Sequence, residues 1–129
     1  MSEKGLHIAK VILRIGIFGT FFGHGILAME IQQSWVVYLT TVGFTVEMAL
    51  FLMPLIGALD IAVAIMALVY PIKAILIWAC IWAFAAALIR PLSGTDIWPF
   101  VERWSLWAAP LSLLLINGLP KKFTDLFRI

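Results

Sequence analysis

Charged side chains are scarce in this chain: they make up 12% of its 129 residues, against about a quarter in an ordinary soluble domain. So few charges cannot clothe a water-facing surface, and the uncharged runs over residues 74–89 and 104–120 leave little polar material to cover a core. Cysteine is nearly absent as well. Cys80 stands alone, which excludes a Cys-x-x-Cys pair for thiol oxidation and a thiolate metal site. Histidine is limited to His7 and His24, 17 residues apart on one stretch, or about 26 Å along a helix. Two axial ligands to one haem are therefore not available from this chain, and no metal is expected. Neither a Ser-His-Asp set, a zincin motif nor a phosphate loop is present, so no catalytic residue can be assigned. A clustered basic surface with aromatic readers is also missing, which sets nucleic acid aside as a partner.

What the chain has in abundance is apolar length: 64% of its residues are hydrophobic. A hydrocarbon core about 30 Å thick calls for roughly 20 apolar residues per helix, and only helices or closed barrels satisfy their backbone groups inside it. The long runs do not alternate with period two, so helices are expected. The reading is an all-α, polytopic integral membrane bundle of four to five transmembrane helices, a single domain over residues 1–129. Its spans fall at about 8–28, 35–53, 58–70, 72–89 and 101–116. Glu30, Gln32 and Gln33 make the first turn polar, and Trp35 and Tyr38 mark an interface. Pro54 and Gly57 close the second span, and Pro71 and Lys73 the third. Arg90-Pro91-Leu92-Ser93-Gly94-Thr95-Asp96 is turn chemistry ending the fourth. Residues 58–89 can alternatively form one tilted helix kinked at Pro71, which gives four crossings and puts both basic termini on the cytoplasmic side. Arg14 inside the first run, with no small-residue cleavage site after it, marks a retained span and not a removed signal peptide.

Ionisable residues within apolar spans are the informative ones, since each is costly unless it is paired, snorkels or lines a polar cavity. Arg14, His24 and Glu47 are the candidates for ligand binding. If the first two spans form a hairpin about residues 29–34, the helical rise brings Arg14 and Glu47 within roughly 5 Å of the same depth. An ion pair between them either locks the hairpin or lines a small pocket for a headgroup or a quinone carbonyl. His24 falls level with Thr40 and Thr41, either as a hydrogen-bonded structural histidine or as a quinone or proton ligand. Gly16, Gly19, Gly23 and Gly25 are expected to pack this helix closely against a neighbour, Gly19 and Gly23 having the small-xxx-small spacing. Asp60 and Lys73 flank the short third run, where a solvated or helix-capping role is expected.

Leu13-Arg14-Ile15-Gly16 opening an apolar span, Gly23-His24-Gly25 near its end, and Val46-Glu47-Met48 followed by Gly57 together resemble the DoxX-like membrane proteins. That broad group includes the DoxD-type small subunit of thiosulfate:quinone oxidoreductase. The resemblance covers about residues 8–70. The group's first span often ends in a glycine followed shortly by lysine, whereas this chain has Gly25-Ile26-Leu27-Ala28, and its last third extends beyond the common core. The resemblance implies a small multi-pass protein of the bacterial inner membrane, linked to quinone or sulfur redox chemistry and partnered by another subunit.

Three functions follow as expectations. The first is an auxiliary or anchoring subunit of a quinone-linked redox complex, with no catalytic centre of its own and with lipid, other membrane subunits or further copies of itself as partners. A stand-alone quinone-binding oxidoreductase needs Arg14, His24 and Glu47 to converge. A small-solute transporter needs polar side chains spread through the bilayer, and beyond Thr40, Thr41 and Thr45 there are few.

Overall fold

Ser2 starts the first helix. Its hydroxyl accepts the Gly5 N–H at 3.0 Å, and Glu3 in the first turn faces the positive helix end, so α1 (Glu3–Met29) begins ahead of the apolar periodicity. The computed structural model describes residues 1–129 and is helical throughout, with no strand. After α1 come a 3₁₀ turn (Gln33–Trp35), α2 (Val36–Thr41), α3 (Val46–Val69), α4 (Lys73–Leu92), α5 (Trp98–Val101), α6 (Trp104–Asn117) and a second 3₁₀ turn (Phe123–Phe127).

The expected span at 35–53 is not one helix. Gly43 takes φ 106°, a conformation that a helix cannot continue through, and Thr45 then caps a new helix by accepting the Met48 N–H at 3.1 Å. Pro54 does not end that helix but lies inside it, as membrane helices allow. The residues expected as the end of the second span and the whole of the third therefore make one helix, α3. Its end is real: Tyr70, Pro71 and Ile72 are extended or irregular, so residues 58–89 are not a single kinked helix.

α1 and α3 run antiparallel, with Gly25 against Gly57 at one level and Arg14 against Leu68 at another. α4 and α6 form a second antiparallel pair, Lys73 lying beside Gly118 and Arg90 sharing a void with Arg103. The pairs meet in a core that includes Ile17, Phe21, Val63, Leu76 and Leu113.

α1, α3 and α4 are long and apolar enough to cross a membrane. α6 has 14 residues, about 21 Å of rise, which is shorter than a hydrocarbon core. Only 20 of 129 residues are buried, while mid-helix Ile12, Phe51 and Ile81 are each at least 60% exposed. Apolar side chains on the outside of an apolar bundle want lipid against them.

Candidate functional site: a cavity with one polar end

Arg14 and Glu47 are not partners. Arg14 donates through Nε to the Leu68 carbonyl at 3.0 Å and through Nη2 to the carbonyls of Leu68 and Val69. Those carbonyls belong to the last turn of α3 and have no acceptor role within the helix, so the guanidinium caps a helix C-terminus. Glu47 sits in the first turn of α3, at the other end of that helix, and is exposed. The hairpin geometry that would pair them needed a helix beginning at residue 35, and the break at Gly43 removes it.

The glycines separate in the same way. Gly25 meets α3 directly: a Cβ there would lie 2.8 Å from the Gly57 carbonyl oxygen. Gly16, Gly19 and Gly23 have nothing within 4 Å of where a Cβ would stand. They lie on the outward face of α1, because the buried stripe follows Ile17, Phe21, Gly25 and Ala28 instead.

His24 does reach a site. It makes no hydrogen bond to Thr40 or Thr41, whose hydroxyls both donate to the Val37 carbonyl, at 3.1 and 2.7 Å. Its ring stands edge-on to Trp35 with 5.4 Å between centroids, and both line a cavity of about 560 Å³ between α1, α2, α3 and α4. Fifteen of the 18 lining residues are hydrophobic, so most of the wall can hold only apolar surface. Its polar groups are few, and they sit on His24, Trp35, Tyr38, Asp60, Trp82 and Arg90.

Asp60 is the unexpected member. Far from capping a helix start, it lies in the middle of α3, is only 4% exposed, and its Oδ1 has no hydrogen-bond partner. Such a carboxyl is a liability to the fold, and intramembrane ionisable groups of this kind mark functional sites. Arg90, expected as part of a surface turn, is 6% exposed instead. One of its nitrogens donates to the Ala86 carbonyl, and the guanidinium lies 5.1 Å from the centre of the Tyr38 ring, a cation–π distance. The 3₁₀ turn and α2 thus fold over the cavity as a short cover, with Trp35 from the turn and Tyr38 from α2 lining it.

A smaller void of about 10 Å³, one water across, adjoins this polar end and is lined in part by Thr20, His24, Asp60, Arg90 and Arg103. Arg103 is tied down there, donating to the Pro99 carbonyl at 2.8 Å and to Glu102 at 2.6 Å. No group of three or more His, Cys, Asp or Glu side chains converges anywhere in the chain. Asp60 had a readable signal in the sequence, an acid at the centre of a continuous apolar run, but it shows only when Pro54 is read as helical.

Comparison with protein-family models, with curated proteins and with solved structures finds no match for this chain.

Proposed function

We propose that this chain is a multi-pass protein of a bacterial inner membrane that holds an isoprenoid quinone between its helices, as an auxiliary subunit of a quinone-linked redox complex. In this reading α1, α3, α4 and α6 make four crossings, the shorter α6 being completed by the chain on either side of it. The cavity carries the proposal: about 560 Å³, apolar over most of its wall and polar at one end. That is the shape of an amphipathic ligand with a small hydrogen-bonding head and a long apolar body. A quinone's carbonyl oxygens need donors, which His24 and Arg90 supply. Its reduced form has hydroxyls that need an acceptor, which the free Oδ1 of Asp60 supplies. The ring fits among Trp35, Tyr38 and Trp82, and the tail along Leu52, Ile56 and Leu88. The likeness of residues 8–70 to the DoxX-like proteins points to the same ligand class. The auxiliary role rests on how little of the chain is left outside the helices to carry chemistry of its own.

The test is a titration of the purified protein in lipid nanodiscs with a short-tailed ubiquinone, read by quenching of tryptophan fluorescence, since Trp35 and Trp82 line the cavity. Saturable quenching that is lost in Arg90→Leu and His24→Leu is expected. Quenching that rises linearly with quinone, or that both variants retain in full, would overturn the site. Purification from the native membrane addresses the role: a stoichiometric redox partner agrees with a subunit, and an isolated protein that still turns over quinone makes it a stand-alone enzyme.

A further inference from the structure

The formal charge of the chain is only +2, yet the fold sorts its charges strongly. Antiparallel packing brings Lys4, Lys10, Arg14, Lys73, Lys121, Lys122 and Arg128 to one end of the bundle, with Glu3 and Asp125 as the only acids among them. The other end has Arg90 and Arg103 against Glu30, Glu47, Asp96 and Glu102. Seven cations against two acids face two cations against four.

Residues 118–129 are built onto the basic end. Gly118, at φ 94°, turns the chain out of α6. The Asp125 carboxylate then accepts the backbone N–H groups of Lys121 and Lys122 at 3.0 and 3.3 Å. The Arg128 carbonyl accepts the Lys73 N–H at 2.9 Å, which ties the segment to the start of α4. Both phenylalanines of the segment are turned outward: Phe123 is 74% exposed and Phe127 57%, their rings edge to face at 5.5 Å. Lys121, Lys122 and Arg128 are exposed beside them. A short turn that pairs outward aromatic rings with outward cations has the composition of an interfacial membrane anchor.

We propose that residues 119–129 are an interfacial anchor that binds the phosphates of anionic phospholipids through Lys121, Lys122 and Arg128. Phe123 and Phe127 enter the acyl boundary beside them. Charge complementarity selects the lipid, because a zwitterionic headgroup offers no net charge to seven clustered cations. One consequence concerns the cavity. Tyr38, Val42 and Leu92 line it at the opposite end of the bundle, so its ligand enters from the leaflet facing away from the anchor. The anchor itself does not depend on what the cavity holds.

The experiment is native mass spectrometry of the detergent-purified protein titrated with phosphatidylglycerol or phosphatidylcholine. The wild-type protein is expected to retain phosphatidylglycerol in preference, and to lose that preference as salt rises. The K121Q/K122Q/R128Q variant should bind phosphatidylglycerol more weakly by roughly fivefold per cation removed, with phosphatidylcholine unchanged. Equal binding of the two lipids by the wild-type protein overturns the proposal without recourse to any variant. So does full phosphatidylglycerol binding by a triple variant whose helical circular dichroism is intact.

Discussion

Gly25 of α1 and Gly57 of α3 touch backbone to backbone: a Cβ on Gly57 would lie 2.6 Å from the Gly25 carbonyl oxygen and 2.8 Å from the Met29 amide nitrogen. Main-chain atoms cannot swing aside as a flexible side chain can, so any larger residue there must push the two helices apart. The close crossing also sets the wall of the cavity, since His24 and Asp60 flank it on the two helices.

Gly57→Ala is accordingly expected to destabilise the bundle by about 1–3 kcal/mol, read as a lowered unfolding midpoint in detergent. Gly16→Ala, Gly19→Ala and Gly23→Ala meet open space and should hold or raise the midpoint, alanine being the better helix former by about 0.5–1 kcal/mol. A drop for all four alike would mean that the outward face of α1 is also packed.

Arg14→Gln removes the charged cap from the Leu68 and Val69 carbonyls. The loss should be about 1.5–3 kcal/mol, as for hydrogen bonds to a charged group. Glu47→Gln should cost only the smaller interaction of its charge with the start of α3, about 0.3–1 kcal/mol, and the double variant should equal the sum of the two single ones. Coupling between the two substitutions in that double-mutant cycle would restore the ion pair that the fold denies.

Asp60→Leu exchanges a buried carboxyl whose Oδ1 lacks a hydrogen-bond partner for an apolar side chain of similar size. The protein without ligand should become more stable by about 1–3 kcal/mol, while quinone-dependent fluorescence quenching weakens. Thermal melts with and without quinone read both quantities. A variant less stable than the wild type would show that the carboxyl has a structural partner.

Asp125 gives the interfacial segment a pH limit. The backbone N–H of Lys121, that of Lys122 and the charges of Arg128 and Lys73 hold its carboxyl below the usual carboxylate range. A depressed folded-state value means that the contribution is complete above the unfolded-state value and disappears as pH falls through the folded one. Amide hydrogen exchange of Lys121 and Lys122 should therefore be slow at neutral pH and quicken, relative to the intrinsic rate, only under acid conditions. Asp125→Asn should show the faster exchange at all pH values.

The four crossings proposed for α1, α3, α4 and α6 would place the start of α1 and the segment after α6 on one side of the membrane and the α4–α5 loop on the other. With Cys80 replaced by serine, single cysteines at Ser2 and Thr124 should react with an impermeant maleimide from the same side of oriented vesicles, and one at Thr95 only from the opposite side. Labelling of Ser2 and Thr124 from opposite sides would require an odd number of crossings.

All-helical structure with an apolar exterior was legible in the sequence alone, because long apolar runs without period-two alternation favour helices, which satisfy their own backbone groups. The start of α4 follows for the same local reason, Pro71 before it, and so does His24 as a residue of interest, but the turn expected from Arg90 begins only at Ser93, because Arg90, Pro91 and Leu92 continue the helix. What the sequence could not determine was α3. Gly43 breaks a run that looks continuous and Pro54 sits within one that looks ended, and each outcome depends on how neighbouring helices satisfy the backbone. That one change of register carried the rest with it. Arg14 moved from Glu47 to the carbonyls ending α3, and Asp60 moved from a helix start to the bundle interior. Only the packed structure decided that Asp60, His24 and Arg90, drawn from three helices and far apart in the chain, share one cavity. Convergence across helices is set by their rotation and crossing, and these follow from contacts such as Gly25 on Gly57 that no single run of residues encodes.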